Sequence, residues 1–131
     1  MSFEGRGVRV LVVDDSPECR AALAAVVAAA PGFDLAGTAG CGEDALAFLS
    51  QVEPELVLVD VRMPGLDGIE TARRIGESRP STIVVLVTAS AASELSSGTG
   101  TGGAVAVLPK SRLCVRGLTE VWQRLGTHAR P

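Results

Sequence analysis

Short apolar runs alternate with amphipathic stretches along this chain of 131 residues. The runs are rich in Val, Leu and Ile, and they have the length of buried strands. They cover residues 8–13, 33–38, 55–60, 82–87 and 104–108. Stretches with helical spacing follow at 17–30, 42–51, after Asp67 and after Ser111. Because strands alternate with helices, the pattern predicts an α/β fold with a parallel sheet covered by helices on both faces.

Residues with clear capping chemistry mark several helix starts. Ser16 precedes Pro17, which predicts an N-cap followed by a proline in the first helical position. Asp67 and Glu70 have the spacing of a capping box, in which each side chain bonds the other residue's backbone amide. Ser111 is the expected cap of the last helix.

One segment interrupts the alternation. Residues 90–103 read SAASELSSGTGTGG, where the pattern calls for a fourth helix. Each glycine costs about 1 kcal/mol relative to alanine in a helix interior. We therefore expect a degenerate helix, at most a short one around 91–96, followed by a loop.

Composition narrows the classes of function. The length fits one domain, with a core of about 8–125 in the full 1–131 chain. The net charge is −3 and no basic cluster marks a nucleic-acid surface, so direct nucleic-acid binding is not expected. Three cysteines without CxxC spacing argue against a disulfide framework or a zinc site. The N-terminal segment lacks the apolar run of a signal peptide, and no segment is long enough to cross a membrane, so a cytoplasmic location is expected.

Residues with functional side chains stand at the ends of four predicted strands. They are Asp14 with Asp15, then Asp60, Thr88 and Lys110. The carboxyl ends of parallel strands meet at one edge of a sheet, where ligands bind. Two negative charges ~4 Å apart repel by about 4 kcal/mol at an effective dielectric of about 20, so such a cluster favours a bound cation. Mg²⁺ prefers oxygen ligands and binds through carboxylates together with phosphate, so Mg²⁺ is the predicted ion.

These residue types suit phosphoryl transfer. A carboxylate such as Asp60 can act as the nucleophile and form an acyl phosphate. The transferred group needs charge stabilisation on its oxygens, which Lys110 and the Thr88 hydroxyl could supply. Each residue alone is weak evidence, because an Asp pair before a helix is often only a cap. The joint pattern at successive strand ends carries the prediction.

Four stretches together resemble the receiver domain of two-component response regulators. They are VVDDSP at 12–17, LVLVDVRMPGLDGIE at 56–70, VLVTAS at 85–90 and LPKS at 108–111. The second stretch is most similar to receivers linked to a helix-turn-helix domain, of the nitrate-regulator and quorum-regulator type. The resemblance implies a flavodoxin-like, doubly wound sheet of strand order 2-1-3-4-5.

The resemblance also implies roles for the site residues. Asp60 would be the phosphoacceptor, and Mg²⁺ would bind Asp60, Asp15 directly, Asp14 chiefly through water, and the backbone carbonyl of Arg62. Thr88 would be the switch hydroxyl and Lys110 the phosphate-binding lysine. The implied donor is a phosphohistidine on a sensor histidine kinase or a small acyl phosphate. The protein would be a conformational switch with auto-phosphotransfer and auto-dephosphorylation activity, not a metabolic enzyme.

Two departures from the family concern the output side. An aromatic residue commonly stands three positions before the lysine, and here that position is Val107. The glycine-rich segment replaces the helix that helps to form the family's signalling face. It is either ordered by phosphorylation or a partner, or simply degenerate.

Several alternatives stay open at the level of sequence. A hydrolase of the haloacid-dehalogenase type needs a second aspartate two positions after the nucleophile, and Arg62 in that place argues against it. A pseudo-receiver acting as an interaction scaffold, and the N-terminal receiver of a longer DNA-binding regulator, are both compatible with the sequence. A second copy of the chain or an output domain is a candidate partner beside the kinase.

Overall fold

A single parallel sheet forms the centre of the protein. A computed structural model describes residues 7–88 and 106–129, with side chains up to residue 125. The strands lie in the order β2-β1-β3-β4-β5. They are β1 (Val8–Val13), β2 (Phe33–Ala39), β3 (Leu56–Asp60), β4 (Ile83–Thr88) and β5 (Ala106–Pro109). The predicted doubly wound, flavodoxin-like sheet of order 2-1-3-4-5 is confirmed.

The described residues form four helices that cover both faces of the sheet, and the first three connect successive strands. They are α1 (Pro17–Ala29), α2 (Gly42–Val52), α3 (Gly68–Ser78) and α4 (Val115–Ala129), with a 3-10 turn at Lys110–Arg112. The segment predicted as a degenerate helix, 90–103, lies outside the described residues. Within 7–88 and 106–129, no helix is long and apolar enough to cross a membrane.

Two hydrophobic clusters hold the helices to the sheet, and strand alternation divides them. Val10 and Val12 of β1 point to the cluster under α1 and α4. Leu11 and Val13 point to the cluster under α2 and α3. Every residue of β3 and β4 is buried, as expected of strands covered on both faces. The helices contribute buried apolar residues at helical spacing: Leu23, Val27, Ala45, Leu49, Ala72, Ile75, Leu118 and Val121.

The first cap is confirmed, and the capping box of α3 is half confirmed. Ser16 Oγ accepts a hydrogen bond from the Cys19 amide at 3.3 Å. Asp67 Oδ1 accepts from the Glu70 amide at 2.8 Å. The return bond from Glu70 is absent among the described contacts, because its carboxylate binds the guanidinium groups of Arg73 and Arg74. Hydrogen bonds from Arg73 and then Arg74 lower the pKa of Glu70 to about 2.

The predicted cap of the last helix was wrong. Ser111 lies inside the 3-10 turn, which closes where the Leu113 amide donates to the Lys110 carbonyl at 3.1 Å. Cys114, directly before α4, takes the capping position instead, since its carbonyl accepts from the Leu118 amide at 2.9 Å and its Sγ accepts from the Gly117 amide at 3.4 Å. The turn delays the helix by three residues and brings Leu113 into the core.

The start of α3 lies against the end of β3. A Cβ placed on Gly68 would fall 2.0 Å from the carbonyl oxygen of Asp60, so only glycine fits this approach. The Gly68 amide donates to the Val61 carbonyl at 3.0 Å. The loop between β3 and α3 is therefore closed at its base.

Because the core covers both faces of the central strands, two leucines on different strands should contribute very differently to the free energy of unfolding. Leu58 of β3 is fully buried, whereas Leu35 of β2 is 38% exposed. We expect Leu58→Ala to lower the free energy of unfolding by about 2–5 kcal/mol. The matched change Leu35→Ala should lower it by less than about 1 kcal/mol. Urea unfolding followed by circular dichroism measures both, and equal losses would contradict the burial assigned to β3.

Candidate functional site

The four strand ends named from the sequence meet at one edge of the sheet. Asp14 follows β1, Asp60 ends β3, Thr88 ends β4, and Lys110 follows β5. The parallel register aligns Thr88 with Pro109, the residue before the lysine. Carboxylate oxygens of Asp14, Asp15 and Asp60 lie within 4.8 Å of one another. The structure therefore brings the three acids into one cluster.

Asp14 is the most enclosed member of the cluster. Its side chain is fully buried, and its amide continues the β1–β2 pairing by donating to the Ala39 carbonyl at 3.1 Å. Its Oδ1 accepts from the Ser16 amide at 2.9 Å. Its Oδ2 is buried and accepts no well-directed hydrogen bond among the described residues. The nearest cation to Oδ2 is Lys110 Nζ, at an ion-pair distance of 3.1 Å.

Asp60 is nearly buried, and its neighbours oppose its ionisation. Burial raises the pKa of Asp60, and the negative charges of Asp14 and Asp15 raise it further. Lys110 and a hydrogen bond from the Arg62 backbone amide lower it, but the net shift is upward. A cation that neutralised the cluster would favour the ionised, nucleophilic form of Asp60.

Lys110 is the counter-charge that the chain itself supplies. Its Nζ lies 3.1 Å from Asp14 Oδ2 and 3.8 Å from Asp60 Oδ1. Burial lowers the pKa of Lys110, but the carboxylates of Asp14 and Asp60 outweigh this effect and the pKa is raised. One ammonium therefore faces two buried carboxylates, which leaves the cluster with excess negative charge.

Thr88 and Arg62 are the remaining residues that the sequence predicts at the site. Thr88 is 2% exposed at the last position of β4, on the strand beside Asp60. Arg62 follows β3 in the closed loop, and its amide contacts the Asp60 carboxylate. The roles expected of the Thr88 hydroxyl and of the Arg62 carbonyl stay predictions.

The donor set suits a small, hard divalent cation. All three side chains offer carboxylate oxygens, the ligands that Mg²⁺ prefers, and Mg²⁺ typically binds through one or two carboxylates together with water and phosphate. The buried Asp14 Oδ2 lacks a well-directed donor, which is a deficit that a cation or its bound water would fill. The residues present therefore fit Mg²⁺.

Two contacts at the cluster were not anticipated from the sequence. The Ser16 amide that holds Asp14 was expected only as part of a helix cap. Arg20 Nη1 donates to the backbone carbonyl of Asp14 at 2.9 Å. A signal for this contact existed, because Arg20 stands just over one helical turn after Ser16 and can reach back over the strand end.

Comparison with known proteins identifies the family of this chain. Residues 10–114 match the family model described as the response regulator receiver domain. The chain is 41% identical over 81 residues to the response regulator GacA of Pseudomonas aeruginosa, covering 62% of this chain and 38% of that protein. It is 35% identical over 111 residues to a protein-glutamate methylesterase/protein-glutamine glutaminase of Syntrophus aciditrophicus, covering 83% of this chain and 32% of that protein.

Among solved structures, the signal receiver domain of the response regulator NarL from Mycobacterium tuberculosis superposes with a TM-score of 0.74 at 27% identity. That match covers 89% of this chain and 97% of the NarL domain. The chain spans only about a third of the two curated relatives, 38% and 32%, so the similarity concerns their receiver portions. This chain belongs to the receiver family of two-component response regulators.

Proposed function

We propose that this protein accepts a phosphoryl group on Asp60 in a Mg²⁺-dependent reaction and acts as a switch in a cytoplasmic phosphorelay. A sensor histidine kinase is the proposed donor, and a small acyl phosphate is the chemical substitute. The observation that carries the proposal is the cluster of three carboxylates within 4.8 Å, with Lys110 Nζ 3.8 Å from Asp60 Oδ1.

The positions of the side chains support the following reaction. A carboxylate oxygen of Asp60 attacks phosphorus, and the bond from phosphorus to the donor atom breaks, so an acyl phosphate forms on Asp60. Lys110 already lies beside the attacked side chain and would pair with an oxygen of the transferred group. Thr88, on the neighbouring strand end, would donate to another oxygen.

Asp14, Asp15 and Asp60, with the carbonyl of Arg62, are the proposed holders of the metal. Asp15 is exposed and available as a direct ligand, whereas Asp14 is buried and bound to Lys110. When bound, Mg²⁺ neutralises the carboxylates and the incoming phosphoryl charge. The raised pKa of Asp60 supports this role, because burial first and then the charge of Asp14 disfavour its carboxylate, and a cation would stabilise it.

The activity of a whole regulator depends on what the receiver controls. The relatives include a response regulator and a methylesterase/glutaminase, and the matched segments make up only 38% and 32% of those proteins. We propose that residues 1–131 form one receiver unit, and that its output is delivered through a fused domain or a separate partner. A pseudo-receiver scaffold has less support, because all five side chains named for the chemistry are present at the strand ends.

Phosphorylation tests the proposal directly. The protein is incubated with acetyl phosphate and MgCl₂, and its intact mass is measured. We expect the mass to rise by one phosphoryl group, with little gain when EDTA replaces MgCl₂. Asp60→Asn should abolish the gain, and Lys110→Met should slow it by at least about tenfold, since a preorganised charge is lost. Asp44→Asn, an exposed acid at the start of α2, is the matched control and should behave like wild type.

Two results would contradict the proposal. The first is a wild-type protein that gains no mass with acetyl phosphate, a kinase donor and MgCl₂. The second is a gain that persists in Asp60→Asn, which would move the modified residue elsewhere.

The unfavourable environment of the Asp60 carboxylate predicts that Asp60→Asn stabilises the metal-free protein. The folded-state pKa of Asp60 is raised, so the stability that its protonated form contributes is present at low pH and is lost as pH rises through that pKa. At pH 7 we expect Asp60→Asn to increase the free energy of unfolding by about 1 kcal/mol, because it removes a charge that burial, and then repulsion by Asp14, disfavour. The gain should shrink as the pH is lowered towards 4.

Urea unfolding in EDTA across this pH range measures the effect. Asp44→Asn removes the same formal charge at an exposed position and should give no gain. A loss of stability at pH 7 in Asp60→Asn would show that Lys110 already balances the cluster.

A further inference from the structure

The backbone of Asp14 is held at its amide and at its carbonyl, and the carbonyl lies in the peptide that joins Asp14 to Asp15. The Asp14 amide donates to the Ala39 carbonyl of β2 at 3.1 Å. The Asp14 carbonyl accepts from Arg20 Nη1 at 2.9 Å. This carbonyl belongs to the same planar unit as the Asp15 amide, so the guanidinium fixes the plane from which Asp15 projects.

Asp15 has no other restraint of its own. Within the described part of the chain, its carboxylate accepts no hydrogen bond and takes part in no ion pair, and the residue is exposed. Asp14 differs, because Ser16 and Lys110 hold its two carboxylate oxygens. The direction of the Asp15 carboxylate therefore depends on its backbone.

We propose that Arg20 is a positioning residue for the metal site, which aims Asp15 by anchoring the carbonyl of Asp14. The inference rests on the proposed function of the site as a Mg²⁺-dependent phosphoryl acceptor. Arg20 does not touch the metal or the phosphoryl group in this role. It acts through one backbone carbonyl and the peptide plane that follows.

Gly40, directly after β2, provides the room for this contact. A Cβ on Gly40 would lie 3.1 Å from Arg20 Nη1, closer than most Cβ contacts. The guanidinium thus occupies the place that a side chain would otherwise take. Gly40→Ala is therefore a second way to disturb the anchor, and it keeps the charge of Arg20.

The removal of Arg20 has two effects on Mg²⁺ binding, and they act in opposite directions: one comes from its charge and the other from its positioning of Asp15. By Coulomb's law, removing a cation near three carboxylates should strengthen Mg²⁺ binding. If Arg20 positions Asp15, its removal should weaken Mg²⁺ binding, as is typical when a group that orients a metal ligand is lost. The sign of the change in Kd separates the two effects.

Arg9 offers a matched control in the same chain. Its Nε and Nη2 donate to the Val52 carbonyl at the end of α2, at 3.0 and 2.6 Å. It is also an arginine that anchors a backbone carbonyl, and it stands near the start of β1, whereas the acids follow the end of that strand. Arg9→Met should reproduce the general cost of losing such an anchor without touching the acidic cluster.

The experiment is a calorimetric titration of MgCl₂ into wild type, Arg20→Met, Arg20→Lys, Gly40→Ala and Arg9→Met. We expect Arg20→Met to raise the Kd for Mg²⁺ at least about tenfold. Arg20→Lys and Gly40→Ala should give intermediate values, and Arg9→Met should bind like wild type. Amide exchange of Asp15 and Ser16, measured in EDTA, should be faster in Arg20→Met than in wild type or Arg9→Met.

Each outcome bears on a distinct claim. An unchanged or lower Kd in Arg20→Met would overturn the positioning role while leaving the proposed function intact. A Kd raised equally in Arg9→Met would also overturn it, because the effect would then follow from stability alone. If Arg20→Met does not fold, a wild-type Kd in Gly40→Ala would overturn the role. Wild-type protein that binds no Mg²⁺ would overturn both the role and the metal dependence of the proposed function.

Discussion

The repulsion between carboxylates at the end of a parallel sheet is the interaction on which this site depends. Asp14 follows β1 and Asp60 ends β3, and the register that pairs Val13 with Val59 sets the two acids side by side. Both are almost completely buried, which weakens the screening that water would provide. The fold thus holds charges together that would separate if the chain were free.

Lys110 follows a third strand, and its positive charge offsets part of this repulsion. Its ammonium lies closer to Asp14 than to Asp60, by 3.1 against 3.8 Å. The stronger partner is therefore the acid that the proposed mechanism does not phosphorylate. Since the lysine is tied to Asp14, it stays near the nucleophile without neutralising it fully. The cluster keeps a net negative charge, which suits it to a divalent cation.

Strand ends were predictable from sequence because two simple signals coincide there. An apolar run that stops at Asp14, Asp60 or Thr88 shows both where a strand ends and which side chain it presents. The order of the strands came from the resemblance of the motifs to receivers, since the apolar pattern alone permits several orders. The helical faces followed from spacing, because burial of one stripe is a property of the segment itself.

The two wrong predictions about helix caps arose because contacts formed in the folded protein override the local sequence signal. Glu70 has the right spacing for a capping box, but Arg73 and Arg74 offer charged donors that a backbone amide cannot match. Ser111 is a good capping residue, yet the 3-10 turn and the burial of Leu113 set the start of α4. The Arg20 contact depends on how a long side chain returns to a strand end. Tertiary structure determines which of these contacts forms, and the local sequence pattern does not show it.

The contact between Gly68 and the Asp60 carbonyl bears on how this site can evolve. The loop from Val61 to Asp67 leaves and rejoins the fold at points that touch, so its interior can change without altering the spacing between Asp60 and α3. The exposed side chains of Arg62 and Pro64 can then vary to suit a different partner, while the backbone of Arg62 and the acidic cluster keep their geometry. Gly68 thus allows the surface that a partner would recognise to evolve while the chemistry of the acidic cluster is retained.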